Sequence, residues 1–259
     1  MSLPNRMETV SQNFFVIAGA VILSLLLMIG LDRVWPSDKR RNYNELIGSQ
    51  LSILGTTYAV MLGFMLFAVW SAYREADLNV GLEANAVVDI YHLAEGFSEP
   101  QRTQLQNSAR SYADVVLNRD WQQMAASEEL KQSSKIEAEM WKTATSVQPK
   151  SEAEQTTQDH ILSELSVLTE HRFTRVLQST TRLPDVLWCV LLVGGILTIV
   201  SACMFGSQNR KLQALQVFSL ALLVSLSLVA IADIHRPFHG VIRVRNSAFQ
   251  QARQSMQAF

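Results

Sequence analysis

The amino-acid sequence predicts an all-α integral membrane protein with four transmembrane helices and a helical extramembrane insert between the second and the third. Each predicted span is long enough to cross the hydrocarbon core of a bilayer, which takes about 20 helical residues. The signals of β-strands, alternating β-branched runs and Asn-Gly hairpins, are nearly absent. The spans correspond to four stretches of the 259-residue chain that contain no Asp, Glu, Lys or Arg: Phe14–Leu31, Leu46–Tyr73, Val186–Asn209 and Leu212–Ala232.

The charged residues are concentrated between these stretches. Asp, Glu, Lys and Arg make up only 17% of the chain, whereas they make up about a quarter of an ordinary soluble domain. This distribution excludes a simple soluble enzyme, a secreted disulfide scaffold and a strongly basic nucleic-acid-binding protein. The formal net charge of −1 indicates neither an acidic nor a basic partner, and we predict no nucleic-acid partner.

We interpret the first stretch as an uncleaved transmembrane helix and not as a signal peptide. Only Arg6 precedes it, its apolar run exceeds the usual signal-peptide length, and Asp32–Pro36 follows where small residues should precede a cleavage site. A short basic loop then leads to the second span. Its cations are Arg33, Lys39, Arg40 and Arg41.

The insert begins as a continuation of the second span. The second helix is predicted to run on to Gly96, because small and apolar residues recur at steps of three and four. They are Tyr73, Ala76, Val80, Ala84, Val87 and Tyr91. A further helix, ending near Trp121, carries a second stripe formed by Leu105, Ala109, Tyr112 and Val116.

Capping residues predict the helix boundaries inside the insert. Ser98 is predicted to cap the helix that ends near Trp121, and a third helix is predicted from Ser127 to a break at Pro149. Ser151 and Glu154 fit a capping box that starts a long amphipathic helix. Its predicted buried residues are Ile161, Leu165, Leu168 and Leu177.

These elements divide the chain into four segments. We predict a first transmembrane hairpin at residues 1–73, the helical insert at 74–184, a second hairpin at 185–235 and a basic C-terminal tail at 236–259. The tail has four arginines and no acidic residue, so it can lie on anionic lipid or pair with the insert. The short loops carry six Lys and Arg on one side and five on the other, so this count does not decide the orientation.

No group of residues forms a recognisable catalytic or cofactor site. The sequence has no glycine-rich phosphate loop, no CxxC pair and no zinc-protease helix. His160, Glu164 and His171 fall on one helix face, which we interpret as a solvated face and not as a metal site. We therefore predict no enzymatic activity, no cofactor and no metal.

The second span has an unusual small and weakly polar face. Such a face allows helices to pack closely in lipid, and the same chemistry lines water-filled pores, so both interpretations remain open. The face is formed by Ser49, Ser52, Thr56, Ala59 and Gly63.

Several segments resemble the bestrophin-like bacterial membrane proteins, in the same order along nearly the whole chain. They are Tyr58–Phe64, Val69–Tyr73, Glu83–Ala86 with Tyr91, Arg172 with Arg175, Leu183–Trp188, and a closing motif of Asp233, Arg236, Pro237, Phe238 and Gly240. The family name refers to bestrophins, which are pentameric, anion-selective channels with four spans per subunit and a helical cytosolic region.

The resemblance also implies roles for individual residues. In bestrophins the second span lines the pore, and aligning Leu62–Phe64 places Thr56, Val60 and Phe64 at the constriction. Arg74 then lies near one pore mouth. The tail has no Asp or Glu, so we predict no counterpart of the acidic calcium clasp of bestrophins.

The sequence therefore predicts a multi-pass protein of the bacterial inner membrane that self-associates and conducts ions, with a preference for anions. Self-association is required because four helices of one chain do not easily enclose a pore, and the resemblance implies a pentamer. The predicted partners are the lipid bilayer, further copies of the chain and permeant anions. The alternative is a non-conducting sensor or scaffold whose helical insert binds a partner.

Overall fold

The computed structural model describes residues 3–126 and 130–257, and this part of the chain is helical, without strands. Its α-helices are α1 (Leu3–Val34), α2 (Ser37–Arg40), α3 (Asn44–Leu93), α4 (Gln101–Val115), α5 (Trp121–Ala126), α6 (Lys131–Ser146), α7 (Glu152–Thr180), α8 (Asp185–Met204), α9 (Arg210–Ile234) and α10 (Ser247–Ser255). Two 3₁₀ turns lie at Arg41–Tyr43 and Ala94–Gly96, and a π-helical turn lies at Val116–Asp120.

Four segments of the described chain are long and apolar enough to cross a membrane, as judged by length and composition. This confirms that the four predicted spans are helices of sufficient length and apolarity. The second is the least buried, since 11% of its most apolar window is buried, compared with 33% for each of the last two. Most of the apolar surface of α3 in this window is therefore not covered within one chain. The four segments are Val10–Val34, Ser37–Gly96, Asp185–Met204 and Arg210–Ile234.

The chain divides into two compact units. Unit 1 comprises the described residues up to Ser71 together with Arg182–His235, and it contains α1, α2, α8, α9 and the first part of α3. Unit 2 comprises Ala72–Thr181 and the described residues from Arg236 onward. The single helix α3 contributes residues to both.

Small side chains allow the helices of unit 1 to approach one another. Helix α1 packs against α8 and α9, which also pack on each other. The core of this contact contains Met28, Ala202, Cys203 and Val217, all buried. Helices in lipid associate mainly by close packing over small residues. Burying apolar side chains stabilises such contacts little, because the surrounding lipid is itself apolar.

Two loops of unit 1 are joined by reciprocal hydrogen bonds. The Ser37 hydroxyl donates to the Ser207 carbonyl (2.8 Å) and accepts from the Ser207 N–H (2.9 Å). The Asn44 amide donates to the Gly206 carbonyl (2.7 Å) and accepts from the Gly206 N–H (2.9 Å). The connection before α3 is thereby held against the α8–α9 turn, which pairs backbone groups that would otherwise lack partners.

Arg40, in the connection before α3, is fully buried. Its guanidinium donates to the Cys203 carbonyl in the last turn of α8 and pairs with Asp32 of α1. A cation at a helix C-terminus is stabilised by the unsatisfied carbonyls there. Of the four loop cations in the sequence, Arg40 is thus a structural residue, whereas Arg33, Lys39 and Arg41 are exposed.

Unit 2 has a large apolar core. The stripe predicted on α3 is confirmed, because Ala76, Val80, Ala84, Val87 and Tyr91 are buried and Tyr73 packs against them. The four residues predicted on the next helix are also fully buried. The prediction for Leu177 is wrong, since this side chain is 55% exposed. It lies nine residues after Leu168 in the sequence, which places it on the opposite face of α7.

The predicted helix boundaries of the insert have mixed outcomes. Ser151 caps α7 by accepting the Glu154 N–H at 3.2 Å, while the Glu154 carboxylate accepts the Lys150 N–H at 2.7 Å. The prediction that Ser98 caps α4 is wrong, because this helix begins at Gln101. The predicted start of the third insert helix, at Ser127, lies outside the described residues.

The C-terminal segment packs into unit 2. Helix α10 lies against α4, and its Phe249 is fully buried near the rings of Tyr112 and Trp121. Arg253 lies 3.6 Å from Asp114 of α4, and Arg110 donates to the Met256 carbonyl at 3.1 Å.

Gly206 is expected to tolerate no side chain. A Cβ atom at this position would lie 2.6 Å from the Ser37 carbonyl oxygen and 2.7 Å from the Arg41 nitrogen, and backbone atoms move only at a cost. We expect Gly206→Ala to reduce the free energy of unfolding by about 1–3 kcal/mol. The melting temperature of the detergent-solubilised protein should fall accordingly.

Gly30→Ala is the matched control, because no atom lies within 4 Å of a Cβ built at Gly30. Within a helix this substitution should be neutral or stabilising. Equal melting temperatures for the two variants would contradict the packing of the Gly206 turn.

Candidate functional site

The predicted constriction residues lie on an exposed face of α3. Val60 is 53% exposed and Phe64 is 70% exposed, and Thr56 is exposed as well. Because four residues advance an α-helix by about 40°, the three side chains spread over about 80°. The other members of the small face are also exposed: Ser49, Ser52, Ala59 and Gly63.

The other side of α3 is anchored within unit 1 by Tyr58. Its side chain is buried, and its hydroxyl donates to the Leu191 carbonyl of α8 at 2.9 Å. Cβ atoms at Gly194 and Gly195 would lie 2.7 Å and 2.8 Å from the Tyr58 ring and hydroxyl. These two glycines therefore give the tyrosine its space. Thr56 lies about 200° before Tyr58 around the helix, so this anchor turns the small face outward.

Arg74 follows Thr56 by 18 residues along the sequence and belongs to unit 2. Arg74 is exposed. Among the described residues, no carboxylate lies within ion-pair distance of it.

A fully buried cluster of polar side chains lies in unit 2. Arg175 of α7 donates from Nε to Glu83 Oε2 (2.6 Å) and from Nη2 to Glu83 Oε1 (3.0 Å). Nη2 also lies 3.2 Å from Asp120 Oδ2. The Tyr112 hydroxyl donates to Glu83 Oε1 at 2.6 Å. These contacts join α3, α4 and α7 through one guanidinium and two carboxylates that have no solvent-exposed surface.

The cluster determines the charge states of Tyr112 and Arg175. Burial raises the pKa of the Tyr112 phenol well above its usual value, and the negative charge of Glu83 raises it further. Burial by itself lowers the pKa of the Arg175 guanidinium, but the attraction of Glu83 outweighs this, so the pKa is raised. Tyr112 is therefore a neutral donor and Arg175 a cation at neutral pH.

The π-helical turn that follows α4 positions Asp120. An uninterrupted α-helix would place residue 120 about 80° around the axis from Tyr112. The π-helical turn at Val116–Asp120 has more residues per turn, so each residue advances by a smaller angle around the axis. The Asp120 carboxylate therefore lies closer to the face that carries Tyr112. The turn thus supplies a second carboxylate to Arg175.

The structure separates the three residues that the sequence placed on one helix face. His171 Nδ1 lies 2.7 Å from the Asn79 side-chain oxygen, while His160 and Glu164 line a cavity of about 450 Å³ with Asp89 and His92. Burial and the charge of Asp89 raise the pKa of Glu164. Within residues 3–126 and 130–257, no three His, Cys, Asp or Glu side chains are arranged to hold a metal ion.

Comparison with known proteins identifies the family of this chain. The family model of the bestrophin-like domain matches residues 18–249. The chain belongs to the bestrophin-like family. The predicted family is thereby confirmed, and no curated protein matches the chain.

The bestrophin-like chain also has the fold of solved bestrophin homologues. A leucine-to-threonine variant of a bacterial bestrophin homologue from Klebsiella pneumoniae is 12% identical and superposes with a TM-score of 0.72, covering 93% of this chain and 98% of that one. An isoleucine-to-threonine variant of the homologue is 13% identical, with a TM-score of 0.71 and coverages of 95% and 99%. A crystal structure of the homologue that was solved by zinc phasing is 12% identical, with a TM-score of 0.70. The match covers 93% of this chain and 97% of that one.

The closing motif of this bestrophin-like chain packs mainly in unit 2. Pro237 and Phe238 are buried, and the Phe238 ring meets that of Trp121 at 5.9 Å. The Pro237 carbonyl accepts the Val244 N–H at 2.7 Å, and Gly240 between them has a φ of 78°, which favours glycine. Arg236 is exposed, while Asp233 belongs to unit 1 and is half-buried.

Sequence reasoning identified Glu83 and Arg175 in family motifs without recognising that they bind each other, and it missed Asp120. One available signal was Tyr112, a residue with a hydroxyl in an apolar stripe, which needs a partner when buried. A second was the position of Glu83 next to the buried Ala84. Asp120 had no such signal, because its orientation depends on the π-helical turn.

Replacing Arg175 should destabilise the protein strongly. Arg175→Met leaves Glu83 and Asp120 buried without their cation, for which we expect a loss of about 3–5 kcal/mol. The melting temperature in detergent, followed by tryptophan fluorescence, measures the effect.

Arg172→Met is the control, since this arginine is partly exposed and pairs with Glu137 at 3.4 Å. It should cost less than Arg175→Met, because water can reach the groups that Arg172 leaves unpaired. Adding Glu83→Gln to Arg175→Met should recover part of the loss, because one uncompensated charge is removed. Strictly additive losses for these two substitutions would show that the pair is not coupled.

Proposed function

We propose that this bestrophin-like protein is an ion channel with a preference for anions, assembled from several copies around a symmetry axis. The orientation of α3 carries the proposal. Tyr58 anchors one side of the helix within the chain, while Thr56, Val60 and Phe64 on the other side are exposed. In a ring of copies this exposed face lines a central pore. Membership of the bestrophin-like family supports the same function.

Self-association follows from the exposed surface of α3. This span is the least buried of the four, and four helices in one chain do not enclose a pore. Closed rings arise when the same two surfaces meet between successive copies. We propose such a ring, with five copies as in bestrophins.

The chemistry of the face suits conduction. Thr56 supplies a hydroxyl, and Val60 and Phe64 supply an apolar ring of the kind that gates pores by dewetting. Arg74, further along α3, provides a cation at the proposed mouth, where positive charge concentrates anions. These four residues are the proposed lining, constriction and mouth.

We also propose an arrangement in the bacterial inner membrane. Residues 1–73 and 185–235 form the spanning hairpins, and the insert at 74–184 lies in the cytoplasm with the tail at 236–259. The joint packing of insert and tail residues in unit 2 supports a common side for both. The closing motif, from Asp233 to Gly240, then leads from the last span into the cytoplasmic unit.

A non-conducting sensor or scaffold is the second candidate function. Unit 2 exposes large apolar side chains, since Leu78 is 64%, Phe173 is 66% and Leu177 is 55% exposed. Exposed apolar surface of this kind marks protein-binding sites. Absence of conductance from the purified protein in planar bilayers, at every voltage and calcium concentration, would reject the channel and favour the scaffold.

Phe64→Ala is expected to increase the unitary conductance severalfold, because a smaller side chain widens and wets an apolar constriction. The measurement is single-channel recording of the purified protein in planar bilayers. Phe15→Ala on α1 is the matched control, since Phe15 is 69% exposed and should not face the pore. Unchanged conductance in Phe64→Ala would show that Phe64 is not part of the constriction.

Arg74→Glu is expected to lower the permeability of anions relative to cations by roughly thirtyfold or more, because it changes the charge by two units and each unit acts with about 1 kcal/mol at 4 Å in water. The reversal potential under a salt gradient reports this ratio. Lys142→Glu makes the same charge change at an exposed position on α6 and should leave the reversal potential unchanged. Equal shifts in both variants would indicate a general surface-charge effect and reject Arg74 as the mouth residue.

A further inference from the structure

A cleft in unit 1 combines positive charge with apolar surface. It has a volume of about 440 Å³ and lies between the last turns of α1 and the first turns of α9, at the ends of two candidate spans. We call it the basic cleft. Its charged lining consists of Asp32, Arg33, Arg210 and Lys211, and its apolar lining consists of Met28, Ile29 and Ala214.

The basic cleft carries surplus positive charge. Asp32 already pairs with the buried Arg40, and Arg210 approaches it only to 4.0 Å. Among the described residues, no carboxylate lies within ion-pair distance of Arg33 or Lys211. Both are exposed, so their charges are available to an anion.

The apolar lining determines what kind of anion fits. Ile29 lies one turn before Arg33, toward the middle of the span, and is 47% exposed, whereas Met28 beside it is buried. A soluble anion would contact the cations and leave this apolar wall in water. A molecule with an anionic head and a hydrocarbon chain satisfies both surfaces. Basic pockets between the ends of transmembrane helices bind anionic lipid headgroups in this way.

We propose that the basic cleft binds an anionic phospholipid, with its phosphate at Arg33, Arg210 and Lys211 and an acyl chain along Ile29. The loop bonds around Ser37 and Gly206 hold the two helix ends together, so the cations are positioned before the lipid arrives. Binding is independent of ion flux, and its measurement does not depend on the proposed conduction.

The test measures lipid binding to the purified full-length protein by native mass spectrometry. Phosphatidylglycerol and phosphatidylcholine with identical acyl chains are titrated separately. We expect tight binding of phosphatidylglycerol only. The double variant Arg33→Gln/Lys211→Gln should weaken it by roughly thirtyfold, as expected for two cations near an anionic headgroup.

Lys39→Gln/Arg41→Gln is the matched control. It removes two exposed cations from the neighbouring loop that do not line the cleft, and it should change the affinity by less than about twofold. The charge-preserving variant Arg33→Lys/Lys211→Arg should retain binding, which separates loss of charge from loss of folding.

Three outcomes would overturn the proposal. The first is equal binding of the two lipids, and the second is equal weakening by the cleft and control variants. The third is displacement of phosphatidylglycerol by millimolar inorganic phosphate, which would show that the cleft recognises phosphate alone.

Discussion

The packing of unit 2 depends on the buried ion pair between Glu83 on α3 and Arg175 on α7. A charge that loses its partner inside a protein costs several kcal/mol, so the two helices are stable only in the register that brings these side chains together. Apolar stripes alone specify which face turns inward, but they tolerate small sliding movements. The hydroxyl of Tyr112 and the carboxylate of Asp120 extend the constraint to the α4–α5 region.

The first part of α3 is constrained differently, by shape and one hydrogen bond. The Tyr58 ring fits only because Gly194 and Gly195 present no side chain, and its hydroxyl satisfies a carbonyl of α8. The packing of Tyr58 therefore fixes the rotation of this part of α3 and determines which residues are exposed. Any function of Thr56, Val60 and Phe64 rests on contacts made by a residue on the other side.

The cations near Ser37 and the α8–α9 turn have two different roles in unit 1. Arg40 is buried and pairs with Asp32 and a helix carbonyl, while the nearby Ser37 forms reciprocal hydrogen bonds with the α8–α9 turn. Arg33 and Lys211 are left at the surface. The same few residues thus provide both a rigid connection between helices and a group of available positive charges.

Composition and periodicity, read from the sequence, were sufficient to predict the four spans, the apolar stripes of the insert and the cap at Ser151. These are local properties, set by solvation and by hydrogen bonds between residues a few positions apart. The sequence also indicated the family through ordered motifs. Only the tertiary structure decided that Glu83 binds Arg175, that Asp120 joins them and that Gly206 has no room for a side chain. Each of these depends on where a distant segment lies, because close approach and buried charge are satisfied by neighbours in space.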